Sequence, residues 1–207
     1  MSKSLNTVLG GLMLAAAGTA FAASSVDLTV KGLITPSACV PALSNGGAVD
    51  YGKISAKDLN ADKQTALPLN ILQFTVTCDA ATLMAMEAKD NREGSDSNND
   101  LMEFGLGLIN GTEKLGNMTL QLLNSVADGV PINSVGSYDG GVTWSSERNL
   151  MRDNLLAPAV AGVNSPIPVQ LWAADLYVQP QIAKTSELTL TNEVAIDGSV
   201  TLTVRYL

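Results

Sequence analysis

The chain has 207 residues, 46% of them hydrophobic, and 20 acidic against 12 basic residues give a formal net charge of −8 at pH 7. This charge disfavours binding to nucleic acid phosphates and anionic lipid surfaces, so we expect no nucleic acid partner. The chain contains no histidine, which removes the commonest general base and zinc ligand, and we expect neither catalysis nor a cofactor or metal.

The N-terminus has the features of a secretory signal peptide. A lysine near the start precedes an apolar stretch over residues 8–17, and Ala20 and Ala22 place small residues where a signal peptidase reads them. We predict a signal peptide over residues 1–22 and a single exported domain over residues 23–207. A retained membrane anchor is the alternative, and the apolar stretch is too short for one.

Alternating apolar and polar residues follow the predicted signal peptide. They predict a β-strand, because successive side chains of a strand point to opposite faces. The apolar set of this strand is Val26, Leu28 and Val30. Further strands are predicted over residues 49–54 and, with regular alternation, over residues 72–78.

The chain has two cysteines, Cys39 and Cys78. In a chain exported to an oxidising compartment, two cysteines predict a disulfide. Two cysteines without a histidine supply neither a zinc site nor a thiol nucleophile with its base. We therefore expect a structural bond that stabilises the fold by about 4 kcal/mol in the chain-entropy treatment.

The middle of the chain predicts further strands. Residues 83–88 are apolar enough for a buried strand, and a short helix is the alternative because Met, Ala and Glu favour helices. Strands are also predicted over residues 104–109 and 118–123, separated by a turn at Asn110 and Gly111.

Acidic residues cluster in the polar stretch over residues 90–100. A flexible loop with several carboxylates suits calcium, although the spacing does not match the EF-hand pattern. The favoured interpretation is a solvated loop, and calcium binding stays open. The acidic residues of this stretch are Asp90, Glu93, Asp96 and Asp100.

The C-terminal half predicts a hairpin followed by three strands. The hairpin turn lies at residues 139–141, and the strands cover residues 167–176, 186–191 and 200–206. Many short strands separated by turn signals indicate an all-β sandwich.

The last strand is apolar on one face only. A half-apolar strand at a chain terminus either pairs within its own fold or offers itself to another protein. Polar residues at positions 201, 203 and 205 occupy its other face. The apolar face consists of Val200, Leu202, Val204 and Tyr206, followed by Leu207.

Several segments together resemble a subunit of chaperone–usher fimbriae, the pilin superfamily, and are most similar to a poorly characterised group of fimbrial-like secreted proteins within it. The resemblance covers most of the exported chain and depends on the order of its motifs and on the cysteine spacing. The segments are residues 30–34 before Cys39, residues 49–54, residues 74–79 around Cys78, residues 117–123, residues 167–170 and the penultimate Tyr206.

The resemblance implies an incomplete immunoglobulin-like β-sandwich with one disulfide, exported through the periplasm to the cell surface or fimbrium. The implied partners are a periplasmic pilus chaperone, an outer-membrane usher and neighbouring fimbrial subunits. In this family a strand from the chaperone, and later from the next subunit, completes the open sandwich.

The same resemblance implies roles for residues at both ends of the chain. The segment that contains Val26, Leu28 and Val30 is the candidate donated strand. The terminal carboxylate would anchor the chain to basic chaperone residues. The edge of the chaperone-bound groove would be formed by Val200, Leu202, Val204, Tyr206 and Leu207.

Two alternatives remain open. Only residues 23–38 precede Cys39, which is short for both a donated extension and a first strand, so a self-complete secreted sandwich is one alternative. A minor tip protein that binds a host glycan is the other, with Trp144 and Trp172 as a sugar platform, although core packing is the favoured interpretation of both indoles.

Overall fold

The computed structural model describes Leu28, Thr29, Lys31 and residues 38–207. The predicted signal peptide lies outside these residues and stays a prediction. No helix within the described part of the chain is long and apolar enough to cross a membrane.

The chain forms two compact units, Met1–Ile34 and Thr35–Leu207. In the first unit the side chain of Leu28 is 89% exposed. The other two donor-strand candidates, Val26 and Val30, lie outside the described residues.

Strands dominate the second unit, and every strand pair within residues 38–207 is antiparallel. Short 3-10 turns cover Ser44–Gly47, Ala56–Asp58 and Thr185–Glu187. The strands are β1 (Cys39–Leu43), β2 (Thr65–Ala66), β3 (Asn70–Thr82), β4 (Met84–Asp90), β5 (Phe104–Gly105), β6 (Leu108–Ile109), β7 (Glu113–Lys114), β8 (Gly116–Ala127), β9 (Val130–Pro131), β10 (Asn133–Ser137), β11 (Ser145–Ser146), β12 (Asn149–Leu150), β13 (Leu155–Ala159), β14 (Val169–Ile182) and β15 (Val200–Tyr206).

The strands form two main sheets around one core. The first sheet has the order β1-β3-β14-β8-β12, and the second has the order β11-β10-β13-β4-β15. Strands β2, β5 and β9 pair at the margins of the first sheet, and β6 and β7 form a separate hairpin. Between the sheets the buried rings of Phe74 and Trp172 meet edge to face, with centroids 5.2 Å apart.

The strand order is that of an immunoglobulin-type sandwich that lacks one strand. Strands β1, β3, β14 and β8 follow the order A-B-E-D, and β4 pairs with β15 as strand C pairs with strand F. Among the described residues no strand pairs with the outer edge of β15, where strand G would lie. The predicted fold class, an incomplete immunoglobulin-like β-sandwich, is therefore confirmed.

The predicted disulfide is also confirmed. Cys39 and Cys78 are bonded, they lie directly opposite each other in the β1–β3 ladder, and their Cα atoms are 4.0 Å apart. The bond fastens the edge strand β1 to its neighbour β3 in the first sheet. This matters because β1 has no ladder partner on its other side among the described residues.

The structure decides three uncertain segments. Residues 84–88 belong to the buried strand β4 rather than to a helix, and Leu83 lies just before it. The predictions of strands over residues 49–54 and 186–191 are wrong, because residues 48–55 and 188–199 form no ladder. Both stretches line a common cavity, and their few backbone hydrogen bonds, such as that from the N–H of Asp197 to the carbonyl of Leu106, are not part of a ladder.

Candidate functional site

An apolar groove runs between the free edges of the two sheets. Strand β1 forms the edge of the first sheet and β15 the edge of the second. At one end the two strands meet, where the backbone N–H of Cys39 donates a hydrogen bond to the hydroxyl of Tyr206 over 3.0 Å. Away from this contact the groove widens between residues 48–55 on one side and residues 188–199 on the other.

Three overlapping cavities make the groove continuous. Their volumes are about 390, 250 and 490 Å³ in order of distance from Tyr206. The first two cavities share Leu43, Val200 and Leu202. The second and third share Val49, Tyr51 and Ile196.

The side chains of β15 on the groove side are only half-buried, although they point toward the core. Val200, Leu202 and Val204 pack against the core cluster, and Val200 and Leu202 also line the cavities of the groove. The floor beneath them includes the buried Leu72 and Leu176. Because this apolar face is only half-covered, burial of its exposed remainder by a binding partner would be favourable.

The backbone of β15 presents the same residues to the open edge. The N–H of Asn91 donates to the carbonyl of Ser199 over 2.9 Å, and the N–H of Leu207 donates to the carbonyl of Leu83 over 3.2 Å. Because hydrogen-bonded pairs alternate along an antiparallel ladder, the odd-numbered residues of β15 bond to β4. The N–H and C=O groups of Val200, Leu202, Val204 and Tyr206 therefore point to the vacant edge.

The opposite wall shows the same alternation. The N–H of Asp79 donates to the carbonyl of Ala38 over 3.1 Å, which turns the backbone groups of Cys39, Pro41 and Leu43 toward the vacant edge. Pro41 has no N–H to offer there, as is usual for proline in an edge strand. The Cys39 N–H is the one that Tyr206 accepts. An added strand therefore finds more free donors on β15 than on β1.

The widened end of the groove, which we call the groove mouth, lies between Lys53 and Glu193. Their side chains form an ion pair of 3.1 Å across the mouth and are 87% and 82% exposed. Both residues line the cavity of about 490 Å³. The ion pair is the direct link between the two walls at this end.

The wall that precedes β15 is anchored to the body of the sandwich through Asp197. Its carboxylate accepts two hydrogen bonds from Arg92, of 2.7 and 2.9 Å, and its N–H donates to the carbonyl of Leu106 over 3.1 Å. The hydrogen bond from Arg92 lowers the pKa of Asp197 below its usual value. This anchor fixes the point at which the wall passes into β15.

Two of the five predicted groove-edge residues line the groove, one closes an end of it, and several groove residues were not predicted. Val200 and Leu202 line the cavities, and Tyr206 closes the end at Cys39. Val204 packs against the core cluster without lining a cavity, and Leu207 is 47% exposed. The unpredicted groove residues are Leu43, Val49, Tyr51, Ile54, Leu190, Val194 and Ile196. Val49, Tyr51, Ile54 and Leu190 fall within the predicted strands 49–54 and 186–191, whereas Leu43, Val194 and Ile196 fall in no predicted element.

The two tryptophans do not form a joint platform. Trp172 is fully buried in the core, and its indole N–H has no hydrogen-bond partner among the described residues. Trp144 is half-buried over a small cluster that includes Ala85 and Val135, and its N–H donates to the carbonyl of Gly141 over 3.0 Å. Core packing, the favoured interpretation, holds fully for Trp172 and partly for Trp144.

The acidic stretch over residues 90–100 is solvated only in part. Glu93 and Asp100 are exposed, as the prediction of a solvated loop requires, whereas Asp90 and Asp96 are buried. The carboxylate of Asp90 accepts the backbone N–H of Gly105 over 2.9 Å, and that of Asp96 pairs with Arg152 at 3.1 Å. These carboxylates serve the fold internally. Within the described chain no group of three or more Cys, Asp or Glu side chains is placed to hold a metal ion.

Comparisons with known proteins give a coarse placement. A family model described as "Protein of unknown function (DUF1120)" matches residues 28–121, which include β1, β3 and β4 but not β15. Protein GltF of Escherichia coli (strain K12) is 26% identical, with 93% of each chain covered. The uncharacterized protein YhcF of the same strain is 24% identical, covering 96% of this chain and 100% of the relative. The chain is thus similar to these proteins along nearly its whole length.

Proposed function

We propose that the protein is a structural subunit of a chaperone–usher type fimbria, assembled by donation of a strand between subunits. One observation carries the proposal. The side chains of Val200 and Leu202 line the open groove, and the backbone groups of Val200, Leu202, Val204 and Tyr206, which have no partner among the described residues, point to its vacant edge. A binding partner that satisfies both sets at once is an extended strand with alternating apolar residues.

The open groove also supports the proposed chaperone. An exposed strand edge beside uncovered apolar surface promotes aggregation, so a subunit of this kind needs temporary cover during export. A chaperone strand laid against β15 supplies the missing hydrogen bonds and fills the cavities. An outer-membrane usher is the partner at which the strand of the next subunit would then replace the chaperone strand in the groove.

The donated strand of the assembled fimbria is proposed to be the segment around Leu28 of the next subunit. Leu28 is 89% exposed, which leaves its side chain available to a second molecule. Insertion of one copy's segment into another copy's groove is head-to-tail, so it does not close and produces a filament. The function is mechanical and adhesive at the cell surface, without catalysis.

The test is to purify the exported protein with its cognate chaperone and to compare unheated and heated samples on SDS gels. Strand-exchanged polymers give a ladder that collapses to one band on heating. The variant Leu28→Asp, which places a charge in an apolar cavity, should abolish the ladder. The matched control is Leu108→Asp, which changes an exposed leucine outside the groove and should leave the ladder intact.

A monomer band from protein that is stable without a chaperone would overturn the proposal. In that case the sandwich completes itself, and ligand or glycan binding becomes the function to test.

A further inference from the structure

We infer that Glu193 is the docking residue for Lys31 of a second copy of this chain, and that Lys53 holds this position while the groove is empty. The inference rests on the proposed function. It concerns the groove mouth, where Lys53 and Glu193 form an ion pair across the two walls.

An inserted strand brings a second cation to the groove mouth. The 3.1 Å contact joins Lys53 Nζ to Glu193 Oε2 at the tips of two long side chains that are 87% and 82% exposed, so the pair lies at the surface of the mouth. A lysine of the inserted chain that reaches the same surface competes with Lys53 for Glu193.

The closed end of the groove sets the direction of the inserted chain. The hydrogen bond between Cys39 and Tyr206 joins the two walls at that end, so the body of the donor subunit must lie beyond the mouth. The donor's body begins C-terminal to its strand, at Cys39. The N-terminal part of the donated segment therefore lies deep in the groove, and Lys31 lies nearer the mouth than Leu28.

The side-chain directions agree with this placement. Residues three positions apart in a strand point to opposite faces, so when Leu28 points into the groove Lys31 points outward to solvent. Lys53 and Glu193 are also directed outward, being 87% and 82% exposed. Lys31, itself exposed, thus meets Glu193 on the solvent side of the groove.

The exchange of one lysine for another changes the ionic free energy little, because exposed ion pairs are weak. Burial of apolar side chains in the cavities drives insertion, and the charges adjust its rate and its choice of partner. Loss of the Lys31–Glu193 pair should therefore slow polymerisation by about two- to fivefold rather than abolish it. Removal of Lys53 should have the opposite effect, because it frees Glu193 in advance.

The test measures the rate at which the heat-sensitive ladder forms, with full-length exported protein released from its chaperone. We expect slower formation for Lys31→Glu and for Glu193→Lys, restored rates when both changes are combined, and faster formation for Lys53→Ala. The matched control combines Glu193→Lys with Arg148→Glu, which restores the net charge of the protein. Arg148 lies beside β12, at the opposite edge of the first sheet from β1 and therefore away from the groove mouth. This control should stay slow.

Two results separate the inference from the proposed function. Equal rates for all charge variants, with a ladder that Leu28→Asp still abolishes, would overturn the inference and leave the proposed function intact. Absence of a ladder from the unaltered protein would overturn both. Recovery by the Arg148→Glu control would show a net-charge effect and would also overturn the inference.

Discussion

The backbone N–H of Cys39 donates a hydrogen bond to the hydroxyl of Tyr206 across 167 residues of sequence. The contact joins the first residue of β1 to the last residue of β15 and so links the free edges of the two sheets. It closes one end of the groove, and the remainder stays open. The disulfide reinforces the same corner, because Cys39 is also bonded to Cys78.

Removal of the Tyr206 hydroxyl should weaken this corner. We expect Tyr206→Phe to lower the free energy of unfolding by about 0.5–1.5 kcal/mol, the usual contribution of one hydrogen bond. Urea denaturation measures the change, and amide exchange at Cys39 should accelerate. The control Tyr177→Phe alters a tyrosine on β14 and should change stability by only a few tenths of a kcal/mol. Equal losses in both variants would contradict the assignment.

Loss of the disulfide should destabilise the edge strand most. The bond closes a loop with a sequence separation of 39, so its removal by the double change Cys39→Ala and Cys78→Ala should cost about 4 kcal/mol. Chemical denaturation under oxidising conditions measures the loss. Hydrogen exchange should rise first in β1. An unchanged midpoint would show that β1 is held by packing alone.

Truncation of a groove residue should lower the stability of the assembled protein by more than it lowers the stability of the free subunit. Leu202 is half-buried, so Leu202→Ala should cost the isolated subunit less than about 2 kcal/mol. In a strand-filled groove the same change leaves a cavity, and the cost should rise toward about 2–5 kcal/mol. The comparison is between denaturation of the monomer and dissociation of the polymer. The core control Leu176→Ala should cost the larger amount in both states.

Acid should loosen the wall that precedes β15. Arg92 lowers the pKa of Asp197, so this carboxylate stabilises the fold above its unfolded pKa, and the contribution is lost as pH falls through the lower folded value. We expect Asp197→Asn to reduce stability at pH 7 and to flatten its decline on the acid side. Denaturation curves across the acid range measure both effects. An unaltered acid slope in the variant would contradict the prediction.

Calcium should not stabilise the acidic stretch over residues 90–100. Asp96 is buried and paired with Arg152. The change Asp96→Ala leaves the Arg152 guanidinium without its carboxylate partner, so we expect it to lower the free energy of unfolding by about 3–5 kcal/mol. Addition of millimolar calcium to unaltered protein should leave Tm unchanged, because these carboxylates already accept hydrogen bonds within the fold. A calcium-dependent rise in Tm would revive the metal alternative.

Local alternation by itself predicted several of the strands that have partners. The regular pattern over residues 72–78 predicted β3, the pattern over residues 200–206 predicted β15, and the cysteine pair predicted the bond between Cys39 and Cys78. These features follow from the period of a strand and from cysteine chemistry, which depend on residues close in sequence or on the cysteines alone.

Where an alternating segment has no neighbouring strand, its sequence pattern predicted a strand that the structure does not contain. Residues 49–54 alternate as β3 does, yet they form no ladder within the described chain. The burial of Asp96 within the acidic stretch was not predicted, because its partner Arg152 lies far along the chain.

The sequence by itself determined an all-β chain with one disulfide and a half-apolar final strand. Only the tertiary structure decided that this strand lies at a sheet edge, that β1 forms the opposite wall, and that Lys53 meets Glu193 at the groove mouth. The physical reason is that strand pairing and the contacts between sheets join residues far apart in sequence. Periodicity records which face of a strand is apolar, and it carries no information about what covers that face.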